Sequence, residues 1–209
     1  MSVLEKIAFF QNIRSEIPNQ QLARELAREH ATAGIKEIAA NLTHPNQKVC
    51  SDCLKVLYEI GYLEPALIAP YAQDFLTLLK SKHNRMVWGA MIALATIASL
   101  APDAIWVEIP VLLKVFEKGS VITVVWGVKL LTGLATTRPE YSEKLFPILL
   151  HTLETCIPRD VPTHAENMLP AIKPENRSLV MDILTARQSE FTSAQLARCK
   201  RVIKLIQAI

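Results

Sequence analysis

A tripeptide that occurs twice constrains the fold of this chain more than any other feature. Val-Trp-Gly stands at 87–89 and again 38 positions later, at 125–127. The same step leads backwards to Val49–Ser51 and forwards to Thr163–Ala165. Small and apolar residues recur at matching distances after both copies, namely Ile92, Ala95 and Ala98 after the first and Leu130, Gly133 and Thr136 after the second. A fixed period of this length indicates a stack of repeated supersecondary units.

The composition favours helices in these units. Half of the 209 residues are hydrophobic and 21% are charged, which is enough apolar material for a continuous core. A chain of this kind is not expected to be disordered. It has six glycines, which is few for a sheet-rich fold with many tight turns.

Proline residues divide the pattern into helices. Four prolines stand beside a carboxylate at corresponding places in the repeat: Pro65, Pro102, Pro139 and Pro174. Proline in the first turn of a helix costs no hydrogen bond, and a carboxylate there suits the positive end of the helix dipole. Each of the four is therefore predicted to start a helix.

Two further prolines lie inside the predicted helices. Pro110 and Pro147 each follow a helix-starting proline by eight residues. A proline in a helix interior removes one backbone hydrogen bond and bends the helix, so both helices are predicted to bend at the same repeat position. The last helix is predicted to start at Thr192 or Ser193, which are good N-cap residues.

The sequence thus predicts an all-α fold of about eleven helices in a single repeat domain, 1–209. Residues 2–16 have apolar residues at helical spacing, and Pro18 is predicted to end this first helix. A second helical pattern runs from Gln20 to Leu42, with Gly34 as its interruption. The predicted parts are an N-terminal helix at 1–18 and antiparallel helix pairs at 19–62, 63–100, 101–137, 138–172 and 173–209.

These helix pairs resemble HEAT repeats, in which the first helix carries Leu-Pro-x-Leu-Leu and the second opens with Val-Arg. Ile109–Leu113 and Phe146–Leu150 resemble the first signature. The second signature falls on Val49, Val87, Val125 and Thr163, and less closely on Ala197. The resemblance covers about residues 20–209. It implies a right-handed α-α superhelix, and it brings no catalytic residue to these positions.

The chain departs from the family pattern at the residue after the Val. The family has Arg there, where it often ties one repeat to the next. This chain has Cys50, Trp88, Trp126 and His164, and only Arg198 fits. The resemblance therefore implies aromatic and apolar contacts between the central repeats. The tryptophans could alternatively stack on a ligand.

The glycines of the repeated tripeptide suggest a binding groove. A glycine in a helix interior costs up to about 1 kcal/mol relative to alanine, so it needs a reason. Counted round the helix, both glycines face away from the paired helix, and second helices line the concave face of a solenoid. The predicted floor consists of Ser51, Lys55, Tyr58, Gly89, Ala93, Thr96, Gly127, Leu131 and Leu134. It would seat a partner peptide or helix; the alternative is that the glycines only let helices pack closely.

A second functional hypothesis is nucleic-acid binding. The chain has a net charge of +3, and its last helix holds four cationic residues with no acidic neighbour after Glu190: Arg198, Lys200, Arg201 and Lys204. These side chains could contact phosphates, and DNA glycosylases built from HEAT-like helix pairs hold DNA in a basic groove. The alternative is the solvated outer face of a capping helix.

No catalytic or metal-binding motif is recognisable. The chain has no Gly-rich phosphate loop, nucleophile elbow or His-Glu-x-x-His motif, so neither enzymatic activity nor a cofactor is predicted. Cys50 and Cys53 have a spacing that could hold zinc with His44 and His83, but two small residues on one helix face are more often packing.

The same features lead us to expect a cytoplasmic protein that binds another protein and does not enter a membrane. Four cysteines and the lack of a secretory pattern in residues 1–10 favour a reducing compartment. Met86–Ala101 and Val121–Thr136 are apolar, but each is shorter than the roughly 20 residues of a spanning helix.

Overall fold

The computed structural model describes residues 2–209, which form twelve α-helices and no β-strand. The chain divides into two compact units, Met1–Gly127 and Val128–Ile209. The first unit holds α1 (Ile17–Arg28), α2 (Thr32–Ala40), α3 (Gln47–Leu63), α4 (Ala72–Leu78), α5 (Asn84–Ile97), α6 (Pro102–Val107) and α7 (Ile109–Lys118). After α8 (Val121–Ala135), which crosses the boundary, come α9 (Pro139–Thr155), α10 (Val161–Met168), α11 (Arg177–Ala186) and α12 (Ser193–Gln207). The all-α prediction is confirmed, and the single domain stays a prediction.

The core of the first unit forms around α3, which contacts α1, α2 and α5. The apolar residues that predicted this helix are buried, and Val49, Leu57 and Ile60 have no exposed surface. Burying one such side chain stabilises the fold by roughly 1.5–3 kcal/mol. None of the helices in residues 2–209 combines the length and the apolar character that crossing a membrane requires.

The predicted helix at 2–16 is wrong. The structure has a 3₁₀ helix at Val3–Lys6, followed by turns in which Asn12 has a φ of 54°. Pro18 lies in the first turn of α1, so it starts a helix where it was predicted to end one.

Two side chains hold this N-terminal segment out of the helical conformation. The Ala8 N–H donates to Asn19 Oδ1 at 2.9 Å, and the Phe9 N–H donates to Asp52 Oδ2 at 2.8 Å. In an α-helix these two N–H groups would bond to carbonyls four residues earlier. Tertiary hydrogen bonds therefore replace the helical ones, which the apolar spacing could not reveal.

The helical pattern from Gln20 to Leu42 contains a break, but the break is not at Gly34. The chain leaves the helix between α1 and α2, where His30 has a φ of 47°. Gly34 lies inside α2, and a Cβ there would stand 2.8 Å from Leu26 Cδ2. This glycine allows close packing and does not interrupt the helix.

The helix-starting role holds for three of the four repeat prolines. Pro102 and Pro139 are the first residues of α6 and α9, and Pro65 begins a 3₁₀ turn. Pro174 lies in a turn, since α11 starts only at Arg177.

The two interior prolines differ from each other. Pro147 lies inside the continuous helix α9, as predicted. Pro110 instead stands in the first turn of α7, because the preceding helix ends at Val107 and Glu108 has left the helical ladder. The predicted helix with an interior Pro110 is therefore two helices.

The start of the last helix is confirmed at Thr192. Its hydroxyl accepts the Gln195 N–H at 3.4 Å, and the Gln195 side chain accepts the Thr192 N–H at 2.8 Å. This reciprocal capping box satisfies two N–H groups that the helix itself leaves unpaired.

One arginine closes the end of α9 in the second unit. Arg187 Nη1 donates to the carbonyls of Leu153 and Glu154 at 2.8 and 3.0 Å. Its Nη2 donates to the Cys156 carbonyl and to Glu190 Oε2, both at 2.7 Å. The last carbonyls of a helix have no partner within the helix, so this side chain supplies it.

Replacing this arginine with a shape-matched apolar residue is expected to destabilise the protein strongly. Arg187→Met leaves three carbonyls without their donor, and we expect a loss of about 2–4 kcal/mol. Urea unfolding followed by circular dichroism measures it. The matched control is Arg159→Met, whose exposed side chain pairs with Asp160 at the surface and which should change stability by less than about 0.5 kcal/mol. Equal effects of the two variants would contradict the capping role.

Candidate functional site

The predicted groove floor is not an exposed surface. Two of its residues, Ser51 and Thr96, are half-buried. The other seven are buried: Lys55, Tyr58, Gly89, Ala93, Gly127, Leu131 and Leu134. The expectation of an exposed, apolar and low-relief floor is therefore wrong for these positions.

Close packing explains the two repeated glycines. A Cβ at Gly89 would stand 2.6 Å from Leu54 Cδ2 of α3, and a Cβ at Gly127 would overlap the Phe116 ring of α7. Real Cβ atoms do not approach other heavy atoms so closely, so any larger residue must displace its neighbour. Both glycines therefore allow a neighbouring helix to come near, which is the alternative that the sequence left open.

The Gly127→Ala substitution tests this packing. Alanine favours the helix, but its methyl group must displace a buried ring, and we expect a net loss of about 1–3 kcal/mol. In a Phe116→Leu background, where the side chain is smaller, the Gly127→Ala substitution should cost less stability than it does in the native protein. Thermal or urea unfolding of the four proteins gives the coupling free energy. A coupling near zero would contradict the close contact.

Four aromatic side chains form a continuous row on α3, α5 and α8. The ring centroids are 6.3 Å apart for Trp88 and Tyr58, 5.8 Å for Tyr58 and Tyr62, and 5.6 Å for Tyr62 and Trp126. The last pair is stacked, with 28° between the ring planes. Tyr62 is 43% exposed, the two tryptophans are half-buried and Tyr58 is buried. We call these four residues the aromatic row.

A network of charges lies beside the aromatic row. Lys55 Nζ is 2.7 Å from Glu59 and 3.0 Å from Glu16, and Arg85 Nη2 is 2.6 Å from Glu16. The two cations also lie over aromatic rings, with Lys55 Nζ 4.8 Å from the Tyr58 centroid and the Arg85 guanidinium carbon 5.7 Å from the Trp88 centroid. Such cation–π contacts hold a charge against a ring face.

The ion pairs keep Lys55 charged although it is 7% exposed. Burial alone would lower the pKa of Lys55, but its hydrogen bonds to Glu59 and Glu16 outweigh burial and raise that pKa. Burial would likewise raise the pKa of Glu16, and the bonds from Lys55 and Arg85 lower it instead. Lys55 and Glu16 are therefore both ionised at neutral pH.

A cleft of about 630 Å³ opens at the end of the row, between the N-terminal segment and the starts of α3 and α5. Phe9 and Ile13 supply its apolar surface, and Arg85 belongs both to the cleft and to the surroundings of Trp88. Its other charged side chains are Arg14, Glu16, Lys48 and Asp52. We call this space the N-terminal cleft.

The predicted phosphate contacts on α12 divide into two groups. Arg198 is engaged within the fold: its Nε and Nη2 lie 3.0 and 2.6 Å from the Glu166 carboxylate, and Nη2 also donates to Thr163 Oγ1 at 3.0 Å. It therefore ties α12 to α10 and is not a free phosphate contact. The remaining three cations are exposed and stay a prediction: Lys200, Arg201 and Lys204.

The cysteine pair on α3 is part of the core. Cys53 has no exposed surface, and burial raises the pKa of its thiol to about 12. The Cys50 thiol donates to the His44 carbonyl at 2.9 Å, and burial raises its pKa as well. Both thiols are thus protonated at neutral pH. Within residues 2–209 no group of three or more His, Cys, Asp or Glu side chains is placed to hold a metal ion.

His164 takes the position that Trp88 and Trp126 hold in earlier repeats, but its ring is 1% exposed. Its Nδ1 makes no hydrogen bond to any described residue. Burial lowers the pKa of His164, and the charge of Asp160 offsets this only in part. The neutral ring is therefore the form that fits the fold.

Acidification should weaken the fold through His164. The unfolded chain takes up a proton on this ring near a pKa of about 6.5, and the folded protein does so only at lower pH. Stability is thus full above that pH and falls as the pH drops from about 6.5 to the lowered folded-state pKa. Urea unfolding of the native protein and of His164→Gln between pH 8 and pH 4.5 isolates the effect. As the pH falls, the free energy of unfolding should decrease more for the native protein than for His164→Gln. A difference between the two proteins that stays constant with pH would contradict the assignment.

The comparisons with known proteins give structural likeness only. No family model matches the chain, and no curated protein matches it. Among solved structures, an engineered protein has a TM-score of 0.66 at 18% identity over 100% of this chain and 98% of its own. A designed armadillo repeat protein in complex with the peptide (KR)4 has a TM-score of 0.67 at 14% identity, covering 90% of this chain and 86% of its own. Computationally designed armadillo repeat proteins for modular peptide recognition reach 0.66 at 11% identity, covering 97% and 98%.

These likenesses show the fold, because the helices follow the same path at low identity. The chain is an all-α repeat protein of the armadillo-like solenoid kind. The predicted α-solenoid is thereby confirmed.

Several residues of the site were not found from the sequence. Tyr62 follows Tyr58 by four positions on α3, so the two rings share a helix face, and this spacing was a usable signal. The stack of Tyr62 on Trp126 joins residues 64 positions apart and had no local signal. Glu16 and Arg85 likewise meet only through the fold.

Proposed function

We propose that this protein is a non-enzymatic interaction module that binds an extended segment of a partner protein across the aromatic row. The observation that carries the proposal is the row itself, with its exposed Tyr62 and its half-buried tryptophans. Aromatic residues are enriched in protein interfaces, and truncating a central Trp or Tyr often costs more than 2 kcal/mol of binding.

The spacing of the row favours an extended peptide over a helix. Neighbouring rings are 5.6 to 6.3 Å apart. Alternate side chains of an extended chain are separated by about 6.6–6.8 Å, which is close to the 5.6 Å between the rings of the exposed Tyr62 and the half-buried Trp126, so two side chains on one face of a peptide can meet these two rings. A partner helix would instead need a continuous apolar groove, and the residues predicted to form one are mostly buried.

The fold is compatible with this function. A solved relative of the same fold is described in complex with the peptide (KR)4. Solenoids of this kind use the surface formed by one helix of each repeat for recognition. The proposal for this chain rests on its own side chains, because the identity to those designs is low.

We also propose that the chain combines two repeat types. Three helices, α1 to α3 and again α6 to α8, correspond to the armadillo pattern. The two-helix pairs α9–α10 and α11–α12 correspond to the HEAT pattern, and Arg198 takes the inter-repeat role expected of a HEAT arginine. A cytoplasmic location fits the protonated, unbridged cysteines.

Nucleic-acid binding through α12 is the second candidate. It is supported by the exposed Lys200, Arg201 and Lys204, for which the described residues offer no ion pair. It is the weaker proposal because Arg198 is already paired with Glu166.

Peptide selection tests the proposed function. Peptides selected from a random phage-displayed library against the native protein should bind in fluorescence-anisotropy titrations. We expect Tyr62→Ala and Trp126→Ala each to weaken binding about tenfold or more. The control is Leu100→Ala, which truncates an apolar side chain of the same unit that is 50% exposed and lies outside the row.

Circular dichroism must show that the variants are folded. If every selected peptide binds the folded row variants as tightly as the native protein and the Leu100→Ala control, the row is not the binding surface and the proposal fails.

A further inference from the structure

We propose that the N-terminal cleft is a subsite for an acidic side chain of the bound peptide. This inference rests on the proposed function and names the chemistry of one part of the ligand. The site combines two unpaired cations, an apolar wall and direct continuity with the aromatic row.

Two of the three cations that line the cleft are available to a ligand. Arg14 and Lys48 are exposed, and neither makes an ion pair with any residue in 2–209. An arginine and a lysine that line one cleft can hold a carboxylate, because the guanidinium group offers two parallel N–H donors and the ammonium adds a point charge. The cleft is large enough for a side chain, at about 630 Å³.

The carboxylates of the cleft are already engaged by the protein. Glu16 lies between Lys55 and Arg85 at 3.0 and 2.6 Å, and Asp52 accepts the Phe9 N–H at 2.8 Å. With Glu59 included, three carboxylates face four cations in the cleft and its adjoining network. The remaining charge is positive and is concentrated on Arg14 and Lys48, which favours an anionic occupant.

The position of the cleft ties it to the same ligand as the row. Arg85 lines the cleft and lies over the Trp88 ring, so a peptide on the row reaches the cleft at its end. Phe9 and Ile13, the latter 45% exposed, offer apolar contact beside the cations. The expected ligand is a segment in which an acidic residue adjoins aromatic or aliphatic ones.

Two labelled octapeptides of opposite charge are the probes. We expect fluorescein-labelled (DE)4 to bind more tightly than (KR)4 at low ionic strength, and its affinity to fall as salt is added. Arg14→Gln and Lys48→Gln should each weaken (DE)4 binding about threefold to tenfold. Lys36→Gln, which removes an exposed lysine of α2 outside the cleft, is the control and should leave the affinity unchanged.

The sign of the Glu16→Gln effect is diagnostic. Removing this carboxylate frees Arg85 and Lys55 from part of their internal partner, so (DE)4 should bind more tightly. A site for cationic ligands would lose affinity with the same change. The thermal midpoint of each variant is measured first to establish that it is folded at the assay temperature.

Each alternative result overturns the inference in a recognisable way. Tighter binding of (KR)4, or cleft variants that match Lys36→Gln, excludes an acidic subsite. Preferential binding of the oligonucleotide dT8 that depends on Arg14 and Lys48 assigns the cleft to nucleic acid instead. If library-selected peptides depend on Tyr62 and Trp126 but not on Arg14 and Lys48, the proposed function stands and only the acidic subsite fails.

Discussion

The close approach of neighbouring helices at two glycines is the constraint on which the first unit depends. Gly89 brings α5 against Leu54 of α3, and Gly127 brings α8 against Phe116 of α7. A residue with a Cβ would hold these helices apart, and the adjacent Trp88 would then lose its contact with Tyr58. The Gly and Trp of the repeated tripeptide thus act together. The glycine lets the two helices approach each other, and the tryptophan ring packs against a neighbouring helix beside this contact. The cost of about 1 kcal/mol for a helical glycine is offset by the apolar area buried there.

The two units use different chemistry to join their helices. In the first unit, aromatic rings connect α3 with α5 and α8, beside the ion pairs that Glu16 makes with Lys55 and Arg85. In the second unit, the guanidinium groups of Arg187 and Arg198 connect helices through carbonyl and carboxylate partners. Aromatic contacts leave parts of the ring faces at the surface, whereas the N–H groups of Arg187 and Arg198 already donate to acceptors within the protein. The exposed aromatic surface of Tyr62 therefore belongs to the first unit, where we propose that a peptide binds.

The sequence predicted the fold well because its information was periodic. The recurring Val-Trp-Gly, the apolar spacing of α3 and the Thr192 cap are local patterns whose physical meaning does not depend on distant residues. The predictions that proved wrong are those that depend on tertiary contacts. The segment at 2–16 has helical spacing but is held by Asn19 and Asp52, and no local rule predicts that competition. The predicted glycine groove was wrong for a related reason. The helical periodicity indicates the face of the helix on which Gly89 lies, but it does not show that Leu54 of a neighbouring helix covers that face.

The buried charge of Lys55 gives the candidate site a further physical meaning. Burying a charge costs several kcal/mol, and proteins in which apolar residues of similar size replace a buried ion pair are often as stable or more stable. Here the charge is retained, with Glu59 on its own helix and Glu16 from the segment before α1 as partners. Glu16 in turn fixes Arg85, which lies over Trp88. A chain of fixed contacts therefore runs from the buried lysine to Trp88 at one end of the aromatic row. Because each charge is oriented by another, the site is preorganised, and a ligand would not have to order these side chains on binding.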